Sequence, residues 1–386
     1  MFSIKIKDKL RDRPTPFYLY DMGLLERTLS AVVEESGKYG YGVHYALKSN
    51  FEPRVCELVR RYGLGVDCVS GNEVRFAVEA GFPASKVVYA GVGKSDAEIN
   101  YGLGQGIFAF NCESRQEVQV INELAGRMGK VANIALRINP DVDPHSHRYI
   151  STGQADSKFG ISYREISELS AELGGMANVR VTGLHFHIGS QIRNMQVFEK
   201  LCRRVNVLYE WFAEQGFALE HVNVGGGLGV DYENPEGEPI PGFAAYFGVF
   251  HRNLRLGPGC RVHFELGRSI TAQCGELISR VMFTKTTATG RSVAIIDASM
   301  TDLVRPALYQ AQHSVENLDG AGRGPQSYIL AGTVCETSDV FRDNVVLPEL
   351  RRGDLVSIKT AGAYGSVMAS RYNMHDLAPA VFSDEI

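Results

Sequence analysis

Tyr45-Ala46-Leu47-Lys48 decides how this chain is read, because there a short apolar run, residues 43–47, ends in a single lysine. The run has the composition of a strand, and the end of a buried strand is a costly place for a permanent charge. Desolvation lowers the pKa of a lysine and leaves an amine that can attack a carbonyl and form a Schiff base. The plainer reading is that Lys48 leaves the strand and reaches water along its own stem. What flanks the stretch separates the two.

Working outward, strand and helix signals alternate. Strands are predicted at 43–47, 65–69, 87–90, 107–110, 133–138, 181–187, 218–224 and 261–265. Helical apolar spacing is found at 22–38, 53–62, 71–80, 115–129, 163–173, 197–215 and 243–254. About eight such units between residues 20 and 270 predict a (β/α)8 TIM barrel with its site at the strand ends. An open doubly wound sheet would call for Gly-x-Gly-x-x-Gly after the first strand, which is missing. From residue 271 the texture changes to strands at 276–283, 292–297, 327–330 and 355–360 with glycine-rich connections. This predicts an all-β domain spanning 271–386. Residues 1–19 join it, because Phe17-Tyr18-Leu19-Tyr20, which follows the turn-like Pro14-Thr15-Pro16, reads as a strand with no barrel partner left. The barrel domain is then 20–270.

The bulk properties exclude several classes. At 386 residues, 44% hydrophobic and 22% charged, the chain has the ordinary mix of a soluble globular protein. The 40 basic and 44 acidic side chains give a net charge of -4 with no run of Lys and Arg, so a small-molecule partner is expected and not nucleic acid or a membrane surface. Residues 1–12 alternate apolar and charged side chains without a signal-peptide core, and no stretch has the apolar length of a membrane span; a cytoplasmic location is expected. The 7 cysteines are scattered and never spaced Cys-x-x-Cys, which argues against disulfides or structural zinc. Only Cys335 sits among polar residues that suggest chemistry.

Further motifs follow in order. Asp67-Cys68-Val69-Ser70-Gly71-Asn72-Glu73 brings two carboxylates to the next strand end, although Asp67 or Ser70 could equally cap the following helix. Arg137 is a charge in an apolar strand and could simply pair with a barrel carboxylate. Alternation puts His185 and His187 on one strand face. They could bind a metal, but no third ligand stands at a suggestive spacing; otherwise a flat imidazole stacks on a planar cofactor, with Ser190 free to bond a phosphate. Asn223-Val224-Gly225-Gly226-Gly227-Leu228-Gly229 offers backbone amides without Cβ obstruction, as a phosphate cradle needs, though a glycine-rich turn alone is a weak signal. Glu265, three residues before Arg268, could hold a pyridine nitrogen protonated. The β region adds Arg305-Pro306-Ala307-Leu308-Tyr309, Cys335-Glu336-Thr337-Ser338-Asp339 and Gly362-Ala363-Tyr364-Gly365. Their combined charge suits a substrate that bears both a carboxylate and an ammonium.

Taken in order, YALKSN, VDCVSGNE, HFHIGSQ, GGGLGVDY, ELGRS, MTDLVRPALYQAQH, CETSD and GAYG resemble the diaminopimelate decarboxylase family, pyridoxal-phosphate enzymes of the alanine-racemase-like barrel fold. The resemblance covers nearly the whole chain. It implies that Lys48 carries pyridoxal 5'-phosphate as a Schiff base, that His187 stacks on its ring and that Glu265 pairs with the pyridine nitrogen. Asp67 and Arg137 join the cofactor-binding set, and Ser190, Gly227, Gly267, Arg268 and Tyr364 lie around the phosphate. Arg268, Arg305, Tyr309, Glu336 and Tyr364 grip the far end of an amino-acid substrate, while Cys335 protonates the intermediate after carbon dioxide leaves. In the family the positions of Cys335 and Glu336 reach in from the second subunit, which implies a homodimer. The implied reaction is decarboxylation of meso-2,6-diaminopimelate to L-lysine. A related decarboxylase for ornithine, arginine or a carboxylated natural-product intermediate would lack the need for Arg305 and Tyr309. A non-catalytic single-barrel cofactor carrier would lack residues 271–386. Two positions depart from the pattern: Leu266 stands where Pro is expected, and the tail from Asn373 lacks the Arg-Pro that often follows Tyr-Asn.

Overall fold

The computed structural model describes residues 2–140, 142 and 158–386. The chain forms two compact units, one of Met1–Thr28, Val230–Pro241 and Arg268–Ile386, the other of Leu29–Gly229 and Gly242–Gly267. Whereas the sequence predicts a barrel domain running unbroken from 20 to 270, the segment Val230–Pro241 belongs with the β-rich unit. There Val230 and Tyr232 pack against Ala272 and Ala363.

β1 (Phe17–Tyr20) belongs to the β-rich unit. The other unit contains β2 (Gly42–Ala46), β3 (Gly65–Cys68), β4 (Val87–Tyr89), β5 (Ala109–Cys112), β6 (Ala132–Arg137), β7 (Val179–His185), β8 (His221–Asn223) and β9 (Arg261–Leu266). Each pairs in parallel with the next, and β9 closes on β2 to complete a barrel. The strands are short and buried on both faces, which is why they read as apolar runs and not as alternating ones. β5 begins two residues later than predicted. Ahead of it an unpredicted helix, Asp96–Gln105, is closed by Gly106 in the left-handed conformation (φ 66°). Its start was written in Ser95 and Glu98, whose side chains each bond the other's backbone amide in a capping box.

In the β-rich unit, β10 (Gly275–Thr286), β11 (Ser292–Ile296), β12 (Val315–Asn317), β13 (Pro325–Ala331), β14 (Val340–Pro348) and β15 (Leu355–Ile358) form a sheet in the order β12-β15-β10-β11-β13-β14. β1 pairs antiparallel with β10 and parallel with β16 (Ala380–Phe382), so the first and last strands of the chain are neighbours. The N-terminal stretch is a helix, Phe2–Leu10, despite its alternating pattern. Ile6 and Leu10, one turn apart, pack onto the core made by Phe17, Leu19, Ile278 and Leu355, while Ile4 is exposed.

Candidate active site

All eight barrel strands run the same way, so their C-terminal ends gather at one mouth. β2 stops at Ala46 and the chain turns through one 3-10 turn, Leu47–Ser49. Lys48 therefore rides on a turn and not on the strand itself. The turn is braced by Ser49 Oγ, which donates to Ala46 O at 2.8 Å, and by Gly267, where a Cβ would stand 2.8 Å from Ser49 Oγ. Lys48 Nζ donates to Asp67 Oδ2 at 3.0 Å, with Asp67 fully buried and the lysine side chain 35% exposed. Burial and the nearby Glu265 charge raise the Asp67 pKa, although Lys48 pulls against them. Asp67 can thus hold a proton that Lys48 releases on becoming a free amine. Its other oxygen, Oδ1, is buried with no hydrogen-bond partner among the described residues. Ser70, not Asp67, takes the capping role, accepting from Glu73 N at 3.2 Å.

Across the mouth, Glu265 on β9 is buried and accepts three bonds. Asn111 Nδ2 reaches Oε1 at 3.1 Å, Asn223 Nδ2 reaches the same oxygen at 2.8 Å, and His185 Nε2 reaches Oε2 at 3.0 Å. Burial alone would raise this carboxyl, but the bond from His185 and the charge of Lys48 outweigh it and hold Glu265 well below the usual carboxylate range. A carboxylate offers about four lone-pair sites, so one on Oε2 is left for a further donor.

The two histidines do different work. β7 ends at His185, which supports Glu265, and His187 lies past the strand, where its Nδ1 accepts from Gly226 N at 3.3 Å. Burial, then the positive charges of Lys48 and Arg137, push the His187 pKa well below its ordinary value and keep the ring neutral. Among the described residues no group of His, Cys, Asp and Glu is arranged to hold a metal ion. Arg137 is paired with buried Glu113 and lies 4.7 Å from the Phe159 ring centre; the pairing with a barrel carboxylate weighed above is the one formed.

After β8 the chain makes the glycine turn, and side chains have no room in it. A Cβ would fall 2.3 Å from Phe186 O at Gly225, 1.9 Å from Glu265 O at Gly226 and 2.6 Å from Gly189 O at Gly227. Gly225 and Gly227 also have φ of 70° and 101°, which favour glycine. Ile192 N donates to Gly227 O at 2.8 Å and Gly229 N to Ile192 O at 3.0 Å, which ties the Ser190 loop alongside the glycines.

The β-rich unit holds a second cluster. Arg268 and Arg305 are both buried, and one Nη1 of each donates to the hydroxyl of Tyr232. Arg268 also lies 4.8 Å from the ring centre of Tyr364, whose own φ of 56° is a strained left-handed conformation for a bulky residue. Arg305 and Tyr309 stand at the two ends of a short helix, Arg305–Tyr309. Cys335 and Glu336 are exposed on the loop between β13 and β14. Asp339 anchors that loop by accepting from Val334 N (2.9 Å) and Met300 N (2.7 Å), and Asn373 Oδ1 accepts from Cys335 N at 2.8 Å. The divergent tail thus holds the Cys335 loop, while Leu266, in place of Pro, is the buried last residue of β9 beside Tyr45.

These groups fit a phosphorylated pyridine aldehyde: a partly exposed amine beside a proton acceptor, an ionised carboxylate with a spare lone pair, and glycine backbone shaped for an anion. The pyridoxal-binding domain of the pyridoxal-dependent decarboxylases matches residues 23–272. A diaminopimelate decarboxylase of Bacteroides thetaiotaomicron is 50% identical over 380 residues, covering 98% of both chains. This chain belongs to the diaminopimelate decarboxylase family. Another diaminopimelate decarboxylase, from Zymomonas mobilis, is 40% identical over 95% of this chain and 87% of its own. The crystal structure of Helicobacter pylori diaminopimelate decarboxylase complexed with L-lysine superposes with a TM-score of 0.90 at 35% identity, covering 97% of this chain and 93% of that one. Members of this pyridoxal-dependent family use pyridoxal phosphate, and so does this chain. Of the residues that build the two clusters, Asn111 and Tyr232 carry no sequence expectation of their own, and His185 and Asn223, though quoted in their motifs, are not tied to Glu265 there.

Proposed function

We propose that this protein decarboxylates meso-2,6-diaminopimelate to L-lysine and carbon dioxide, the last step of lysine biosynthesis. The observation that carries the reading is the 50% identity, over 98% of both chains, to a diaminopimelate decarboxylase. Pyridoxal phosphate, when bound, supplies the electron sink for the pair left behind as the carboxylate departs.

The chain's own residues divide the remaining work. Lys48 Nζ would hold the cofactor through its amine, and Asp67 Oδ2, which accepts from it, would take up a proton released at that nitrogen. Glu265 stays ionised to keep the ring nitrogen protonated. His187, kept neutral by burial first and then by the charges of Lys48 and Arg137, would offer its flat ring to the cofactor. Ser190, Gly227, Gly267, Arg268 and Tyr364 take the phosphate. Arg268, Arg305, Tyr309, Glu336 and Tyr364 bind the far end of the substrate, and the Cys335 thiol returns a proton to the carbon that lost its carboxylate.

The same reading makes the protein a cytoplasmic homodimer in which Cys335 and Glu336 serve the partner's site. Their exposure supports this, as does that of Tyr372, Met374 and Leu377 on the tail. A diamine-forming decarboxylase is disfavoured, because its substrate has no distal carboxylate to offer the buried Arg305, whose Nε has no hydrogen-bond partner among the described residues. The test is L-lysine release from meso-diaminopimelate with added pyridoxal phosphate, run beside ornithine and arginine. A hydrogen bond to a charged group contributes about 1.5–3 kcal/mol, so diaminopimelate, which brings the distal carboxylate, should be preferred by about 100-fold. Comparable turnover of ornithine or arginine would refute the substrate assignment.

A further inference from the structure

Two guanidiniums that converge in a buried site repel each other unless something negative or electron-rich lies between them. In the β-rich unit a neutral oxygen lies between two of them. The Tyr232 hydroxyl accepts from Nη1 of Arg268 and from Nη1 of Arg305, which uses both of its acceptor positions. Its own O–H donates to nothing among the described residues, and Arg305 Nε is likewise buried without a partner. Two cations and two unspent donors around one oxygen are the chemistry of an anion site.

The oxygen is itself held in place. Tyr232 O accepts from Ser314 N at 2.9 Å, and the ring lies edge-on to His313, centres 4.9 Å apart at 73°. His313 Nδ1 donates to Lys359 O at 2.8 Å. Burial and then Arg305 push the His313 pKa down to about 3, so this neighbour stays neutral and adds no charge. Arg305 also lies 4.6 Å from the Tyr232 ring centre, using the ring face as well as the hydroxyl. The phenol feels the positive field: burial would raise its pKa, but Arg268 and Arg305 lower it.

We infer that Tyr232 is the positioning residue of the distal carboxylate site, the shared acceptor that sets Arg268 and Arg305 at a fixed separation so that one carboxylate can meet both. This rests on the substrate reading proposed above. Tyr232 is not a catalytic residue, because it acts through the two arginines.

L-Lysine and cadaverine differ by the carboxylate alone, so their binding to the holoenzyme, measured by calorimetry, isolates this site. Wild type should favour L-lysine by about tenfold or more, the scale of hydrogen bonds to a charged group. In Tyr232→Phe that preference should shrink by at least about fivefold, with cadaverine affinity changed far less. A full preference retained by Tyr232→Phe, or an equal loss for both ligands, overturns the role of Tyr232 and leaves the substrate reading standing. A wild type that does not distinguish the two ligands overturns both. Should the variant fail to fold, wild type still decides, since a carboxylate that neutralises the arginines must make Tyr232 harder to ionise. L-Lysine, but not cadaverine, should then move one phenolate transition in the near-ultraviolet spectrum to higher pH, and no shift overturns the inference.

Discussion

Replacing Gly226 by Ala tests the link between the glycine turn and the carboxylate at the barrel mouth. The new Cβ would lie 1.9 Å from Glu265 O and 2.9 Å from Glu265 C, whereas ordinary contact begins at 3.4 Å. The turn or β9 must therefore give by 3.4 − 1.9 = 1.5 Å. Both atoms met are backbone, so no rotamer change relieves the overlap. The 2.9 Å bond from Glu265 N to Gly225 O would be lost, and the 2.8–3.1 Å bonds from Asn223, His185 and Asn111 to the carboxylate cannot all survive such a shift. Overpacking of this kind costs about 1–3 kcal/mol of stability. A displacement of about 1 Å at reacting groups costs on the order of 100-fold in rate. The assays are thermal unfolding and kcat/KM for meso-diaminopimelate with saturating cofactor. Gly104→Ala is the control: it lies within the helix Asp96–Gln105 with nothing within 4 Å of its Cβ, and should be neutral or stabilising by up to about 1 kcal/mol. If Gly226→Ala kept activity within about threefold of wild type, the glycine turn would not be coupled to Glu265 and the reasoning would fail.

Acid should destabilise the barrel through three histidines that take no part in the proposed chemistry. His44 Nε2 and His263 Nδ1 are hydrogen-bonded at 2.9 Å, and His221 lies beside them, its ring centre 5.3 Å from that of His263. Burial first, then repulsion from His44 and His185, lowers His221 from 6.5 to about 4. An unfolded chain takes up this proton near 6.5 and the folded one only near 4, so the stabilisation is complete above 6.5 and is lost as pH falls between those values. From His221 alone the loss is on the order of 3 kcal/mol, and His221→Gln should flatten the fall in urea midpoint over that window; an equally steep fall would contradict it. For the dimer, mixing Lys48→Ala with Cys335→Ala chains should restore about a quarter of wild-type activity, because half of the random dimers regain one complete site. A mixture that stays inactive despite proven subunit exchange would place each site within one chain.

What the sequence reveals of this site follows the cost of burial. Lys48, Asp67, Arg137 and Glu265 stand out because each is a charge at the end of an apolar strand, and a charge is rarely placed there without a partner or a purpose. Asn111 and Asn223 stand near the ends of β5 and β8 but carry no charge, so nothing local marks them as partners of Glu265. His185 and His187 look equivalent under a period of two, yet that period holds only inside a strand, and β7 ends between them. The helix Asp96–Gln105 left a local trace in its capping box, whereas the helix Phe2–Leu10 was hidden by an alternation that its buried turn-apart residues override. Tyr232 is the extreme case. It is one of 17 tyrosines, and its partners lie 36 and 73 residues away. A charged residue betrays its missing counterpart in the sequence because leaving it unpaired would cost several kcal/mol. A neutral oxygen shared by two cations costs nothing locally, so only the fold, by bringing Val230–Pro241 into the unit of Arg268 and Arg305, shows why a tyrosine belongs there.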